Sequence, residues 1–163
     1  MTTIGNFQLL TNFNAWTNTK IISSCKKLDD AEYKKDRKAF FSSIHDTLNH
    51  LLVVDRAYIS RIEGKEHGLK GLDQILFESL LQLEEARIKE DKRLVDLVNS
   101  LSEESIHKEI TYKGFETGNT TYTINILLIT LFNHQTHHRG QIHNMLSQAG
   151  IEPPQIDIPD FIE

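Results

Sequence analysis

Cysteine, proline and unbroken apolar sequence are all scarce in this chain. Its one cysteine, Cys25, has no partner for an internal disulfide, which agrees with a reducing compartment. All three prolines fall at Pro153, Pro154 and Pro159, so nothing before them breaks a helix by removing a backbone donor. The longest apolar stretch near the C-terminus, Ile124 to Phe132, is interrupted by Asn125 and Thr130. It falls far short of the roughly 20 residues a membrane-spanning helix needs. A basic excess is missing too: the formal net charge is −5. Lysines and arginines are interleaved with acids, as in Glu84-Glu85-Ala86-Arg87-Ile88-Lys89-Glu90-Asp91-Lys92-Arg93, a run expected to form a solvated helix face with i,i+4 pairs. Neither a nucleic-acid partner nor a membrane is expected. The N-terminus, Met1-Thr2-Thr3-Ile4-Gly5-Asn6-Phe7, has no basic segment leading into an apolar core, and a cytoplasmic location is expected.

What remains is ordinary globular material: 163 residues, 39% hydrophobic and 25% charged, enough for one domain with its own core over residues 1–163. Apolar spacing predicts four long helices. The first runs from about Thr3 to Ser24, and Leu28 to Lys38 is a connection. The second starts near Ser42 or Ser43 and ends at Gly64, with Phe40, Ile44, Thr47, Leu51, Val54, Tyr58 and Ile62 as its buried stripe. The third covers about Ile75 to Ser100. From Ile110 to Thr123 the sequence turns β-branched and aromatic, punctuated by Gly114 and Gly118, which predicts a short hairpin or extended loop. The fourth helix runs from about Thr123 to Ala149 and stops at Gly150, before Pro153-Pro154. The expected fold is all-α, a four-helix bundle with the hairpin inserted before the last helix.

Eight histidines are many for this length. Four lie on the last helix, in His134-Gln-Thr-His137-His138-Arg-Gly-Gln-Ile-His143. At about 100° per residue, Ile124, Leu127, Leu131, His134, His138, Ile142 and Met145 share one stripe, which must face the core. His134 and His138 therefore point inward one turn apart, an arrangement that recurs in metal chelates because the two imidazoles project side by side. His50, at the edge of the second helix's buried stripe, supplies a third imidazole from a facing helix. Two neutral imidazoles buried together need several partners and a protonated pair would repel; a metal ion removes both difficulties. His45 falls toward the polar side of its helix, His67 and His107 in loops or at the surface. His137 is expected beside the site or at an interface. Asp46 and Asp55, near His50, point away from the stripe centre and are expected to be surface carboxylates. Gln141 flanks the histidine stripe, within reach of a ligand or water, and Arg139 lies off it.

The same residues resemble a known family. Ser42-Ser43-Ile44-His45-Asp46-Thr47-Leu48-Asn49-His50, followed by Asp55 and Tyr58, is similar to the second helix of the DinB/YfiT-like proteins. Asn133-His134-Gln-Thr-His137-His138-Arg139-Gly140-Gln141-Ile142, continuing to Leu146 and Ala149-Gly150, resembles their C-terminal helix, and Asn14, Trp16 and Asn18 their first. The resemblance spans nearly the whole chain, and the HxxHHRGQ-type segment is its most specific part. It implies a four-helix bundle, often a homodimer, with one metal held by His50, His134 and His138. Relatives include S-transferases that use low-molecular-weight thiols, a maleylpyruvate isomerase and hydrolase-like proteins, so the fold alone does not name the chemistry.

Three neutral imidazoles leave a position open on an ion, the pattern of a catalytic rather than a closed structural site. The expected function is divalent-metal-dependent chemistry on a small molecule, of thiol-transfer or hydrolase type, with zinc or nickel as the ion and a low-molecular-weight thiol as a candidate substrate. The alternative is a non-catalytic metal- or ligand-binding module linked to stress. No catalytic base is identified from the sequence.

Overall fold

Each long helix begins where a hydroxyl side chain takes an otherwise unpaired backbone donor. Thr2, Ser43, Ser79 and Thr123 accept from the amides of Gly5, Asp46, Gln82 and Ile126, and so open α1 (Thr3–Cys25), α3 (Ile44–Glu63), α4 (Leu80–Ser100) and α5 (Ile124–Gln148). These helices belong to a computed structural model that describes residues 2–115 and 118–163. Two short helices, α2 (Asp30–Tyr33) and α6 (Ile158–Ile162), fall in segments where none was expected. The expected hairpin is present: β1 (Glu109–Lys113) pairs antiparallel with β2 (Asn119–Thr123), with Ile110 opposite Tyr122 and Tyr112 opposite Thr120. Glu116 and Thr117 of that segment lie outside the described residues.

The caps move two boundaries. Because Ser43 starts α3, Phe40 lies outside the helix and is 87% exposed rather than part of its buried stripe. Helix α4 starts at Leu80, not near Ile75, because the amides of Leu76 and Phe77 bond the side chain of Asn49 instead of a helical carbonyl. Helix α3 stops at Gly64, which sits at φ 68°, a left-handed conformation that closes the amide of Lys65 onto the carbonyl of Ser60. A Cβ there meets nothing within 4 Å, so only backbone strain opposes a side chain. Gly64→Ala is expected to cost about 1–2 kcal/mol and lower the melting temperature by roughly 2–8 °C, read by circular dichroism.

Helix α1 packs on α4 and α5, and α3 packs on the same two, so α1 and α3 lie diagonally across the core although they follow one another in the chain. Among the described residues no helix is long and apolar enough to cross a membrane.

The core has two apolar ends with a polar layer between them. One end gathers Phe7, Ile59, Leu94, Leu127, Leu131 and their neighbours; the other gathers Ile21, Leu51, Leu83, Ile142, Met145 and theirs. Between them, every long helix contributes buried polar residues: Asn14 and Asn18, Asp55, Arg87 with Asp91, and Gln135 with Arg139. Arg87 bridges Asp55 at 2.7 Å and Asp91 at 2.9 Å. Gln135 donates to Asp55 at 2.6 Å, Asn18 to Asp91 at 2.9 Å, and Arg139 to the side-chain oxygen of Asn14 at 2.6 Å. Two expectations are corrected here. Asp55 is not a surface carboxylate but fully buried, and the charged run 84–93 is not simply a solvated face, since Arg87, Glu90 and Asp91 all turn inward. A buried carboxylate is tolerable only when paired and hydrogen-bonded, which this layer provides.

Candidate metal centre

The three histidines converge. His50 comes from α3, His134 and His138 from α5, and each offers a ring nitrogen within 4.8 Å of the other two. The Nε2 atoms of His50 and His134 are 3.0 Å apart, and the ring centroids of His134 and His138 are 4.4 Å apart. Nitrogens bound tetrahedrally at about 2.0–2.1 Å to one zinc ion stand roughly 3.3 Å from each other, so the cluster is close to the spacing that a shared ion demands. His50 and His138 are buried and His134 half-buried.

Hydrogen bonds on the far side of two rings fix which nitrogen faces the centre. His50 donates from Nδ1 to the carbonyl of Leu72 at 2.8 Å, and His138 donates from Nδ1 to the side-chain oxygen of Gln141 at 2.8 Å. In both rings the Nε2 lone pair is therefore left for the interior. His134 can give one proton from Nε2 to His50, but its Nδ1 is buried with no hydrogen-bond partner among the described residues. Three inward nitrogens thus share at most one proton. A Lewis acid supplies what the set lacks, and the residues present fit a divalent ion.

Protonation is also disfavoured. Burial, reinforced by the neighbouring imidazoles, pushes His134 down to about 3 and His138 to about 4, and burial lowers His50 from its ordinary value. All three are neutral at pH 7, the form that binds metal.

The supporting residues are less visible in the sequence. Asn49, beside His50 and fully buried, accepts from the amides of Leu76 and Phe77 and donates to the carbonyls of His45 and Phe77. It fastens the segment after α3 to the helix, which places the Leu72 carbonyl against His50. His45 is not on a polar face but buried, with Nε2 3.0 Å from the Phe77 carbonyl. Phe41 stacks on the His50 ring at 3.9 Å between centroids. Gln141, expected within reach of the site, bonds both His138 and, at 3.0 Å, His137. His67 and His107 stand apart from the cluster. An asparagine in a helix interior, where it is a poor helix former, was the one available sign of the Asn49 clamp.

Two cavities meet at the cluster. One, of about 840 Å³, is lined by Phe40, Phe41, His137, His138, Gln141 and residues 70–73. The other, of about 390 Å³, is lined by Tyr58, Arg61, Tyr112 and Tyr122. His50, His134, Leu72 and Phe115 border both.

Comparison with known proteins finds relatives in sequence and in fold. The sequence profile of the DinB family matches residues 1–163. Protein DinB of Bacillus subtilis (strain 168) is 30% identical over 150 residues, covering 86% of this chain and 84% of its own length. The crystal structure of a DinB-like protein from Bacillus cereus ATCC 10987 superposes with a TM-score of 0.69 over 90% of this chain and 92% of that one, at 18% identity, a likeness of fold.

Proposed function

The chain belongs to the DinB family, and on that premise we propose that it is a divalent-metal-dependent enzyme acting on a small molecule, by thiol transfer or hydrolysis, with its four long helices forming a bundle around the site. The observation that carries this reading is the convergence of the His50, His134 and His138 nitrogens beside two open cavities. These three residues would hold the ion, with zinc or nickel the best match to an all-imidazole set. A bound ion of this kind supplies Lewis acidity, lowering the pKa of a coordinated water or small-molecule thiol.

The remaining roles fall to the chain itself. The Leu72 carbonyl and the Gln141 amide hold two rings in one tautomer and orientation. Phe41 covers one face of His50 and keeps water from it. His137 accepts a hydrogen bond from the Gln141 side-chain amide at 3.0 Å and lines the larger cavity, where its ring is placed to contact a bound substrate. The proposed thiol substrate is assigned to the larger cavity, whose volume of about 840 Å³ suits a small molecule.

The test is metal content followed by turnover. Protein purified without an affinity tag is expected to carry close to one equivalent of zinc or nickel by elemental analysis. Metal-loaded protein is then assayed with glutathione, bacillithiol or mycothiol plus electrophiles, and with ester and amide substrates. Turnover absent from a His134→Ala control supports the reading. Stoichiometric metal without turnover supports a binding module instead, and protein that stays metal-free when offered zinc or nickel removes the proposal.

A further inference from the structure

The smaller cavity has an unusual lining. His50, Val54, Ala57 and Arg61 are spaced along α3 so that about 100° per residue puts them on one stripe, which floors the cavity over roughly 16 Å of helix rise. The imidazoles of His50 and His134 stand at one end and Arg61 toward the other. The walls are Leu72, Phe115 and three tyrosines, Tyr58, Tyr112 and Tyr122. Among the described residues that line it, Arg61 is the one lysine, arginine or acid.

Among the described residues that arginine is held by rings, and no acid is paired with it. Its guanidinium carbon lies 4.1 Å from the ring centre of Tyr112, 5.3 Å from Tyr58 and 5.6 Å from Phe115. Its Nε is buried without a hydrogen-bond partner among the described residues. The acid two residues on, Glu63, is occupied by Arg93 and Lys65, each at 2.8 Å. Aromatic faces stabilise a guanidinium without using up its hydrogen-bond donors. The guanidinium also borders a neighbouring cavity lined by Lys65 and Glu66, and with no acid paired to it among the described residues its terminal nitrogens can receive a planar anion in a bidentate grip.

We propose that the cavity between Arg61 and the pair His50 and His134 binds the body of an elongated, apolar carboxylate, with Arg61 gripping the carboxylate and the far end of the molecule delivered to the two imidazoles. The inference rests on the functional reading above in one respect only, that the histidine end is where chemistry happens. It narrows that reading to a substrate class: a monoanion with an aromatic or aliphatic body and its reacting atom remote from the acid group. A volume of about 390 Å³ suits a small molecule of this kind.

The probe is 4-phenylbutyrate, compared with its uncharged amide, titrated into untagged full-length protein by calorimetry and ligand-observed NMR. Each titration is run once with zinc and once with a chelator. The carboxylate is expected to bind ~10- to 100-fold more tightly than the amide, the discrimination a charge-assisted bidentate contact provides. Arg61→Gln is expected to erase that preference while zinc uptake stays unchanged. Arg61→Lys, which keeps the charge but loses the fork, should retain part of the preference and shows by circular dichroism whether the fold tolerates change at this position. Three results overturn the inference: no preference for the acid, a preference that survives Arg61→Gln, or a preference lost with the chelator, which would mean that the carboxylate ligates metal. Failure to take up zinc alongside an intact, Arg61-dependent preference supports the anion anchor and counts against the metal reading alone.

Discussion

Replacing His134 with alanine is expected to abolish metal-linked stability while leaving the metal-free protein nearly as stable as before. The two effects have separate origins. In the presence of metal, His134 would supply one of three donors, and losing a donor is costlier than losing a residue that merely orients one, which already weakens binding by about 10- to 100-fold. An ion at about 1,000 times its dissociation constant stabilises the folded state by about 4 kcal/mol, or roughly 8–16 °C for a chain of this size. That increment is expected in the wild-type protein and not in His134→Ala. Without metal the substitution removes one hydrogen bond to His50 together with a desolvated imidazole whose Nδ1 has no partner among the described residues, so little is lost on balance, and the melting temperature is expected to stay within about 4 °C of the wild type. Paired melting curves with zinc and with chelator decide the matter: equal zinc-induced shifts in both proteins would refute the assignment of His134.

Arg87→Met is expected to be among the most destabilising single substitutions outside the apolar core. It leaves Asp55 and Asp91 buried and facing each other without their shared cation. Removing one partner of a buried ion pair costs about 3–5 kcal/mol, or roughly 6–20 °C here. The loss should also depend on pH, and its sign follows from the carboxylates. Burial already raises both above their unfolded value, Asp91 to about 6, against the pull of Arg87. A carboxyl whose folded pKa is raised favours the folded state at low pH and weakens it as pH climbs through the folded value. Without the arginine both values rise further. Destabilisation by Arg87→Met, measured in urea, is therefore expected to be largest near pH 7 and to shrink toward pH 4. A penalty that grew on acidification would show that Arg87 acts by packing rather than by charge.

These two predictions mark the boundary between what periodicity reveals and what it does not. Helical spacing put His134 and His138 on the inward face of the last helix and His50 opposite them, because a stripe that must face the core carries its polar members with it. The hairpin was legible from β-branched and aromatic residues between glycines. Asp55, Arg87 and Asp91 were not, because an i,i+4 ion pair has the same spacing whether it faces solvent or a partner helix. Nor was the diagonal relation of α1 and α3, since long connections permit either neighbour. Phe41 against His50, and Asn49 holding Leu76 and Phe77, depend on contacts between distant segments that local pattern does not encode.

The three imidazoles ride on helices, whereas much of what surrounds them is drawn from the connections: residues 70–73, Phe115 and the hairpin tyrosines. The nitrogens and part of the cavity lining, Arg61 included, are thereby fixed on helices, while the rest of the lining is carried by the connections. Substitutions in the connections can reshape which molecules are admitted while the ring of nitrogens keeps its spacing, provided Asn49 and the Leu72 carbonyl stay in place. Such a chain can diversify in what it accepts without rebuilding the centre that would act on it.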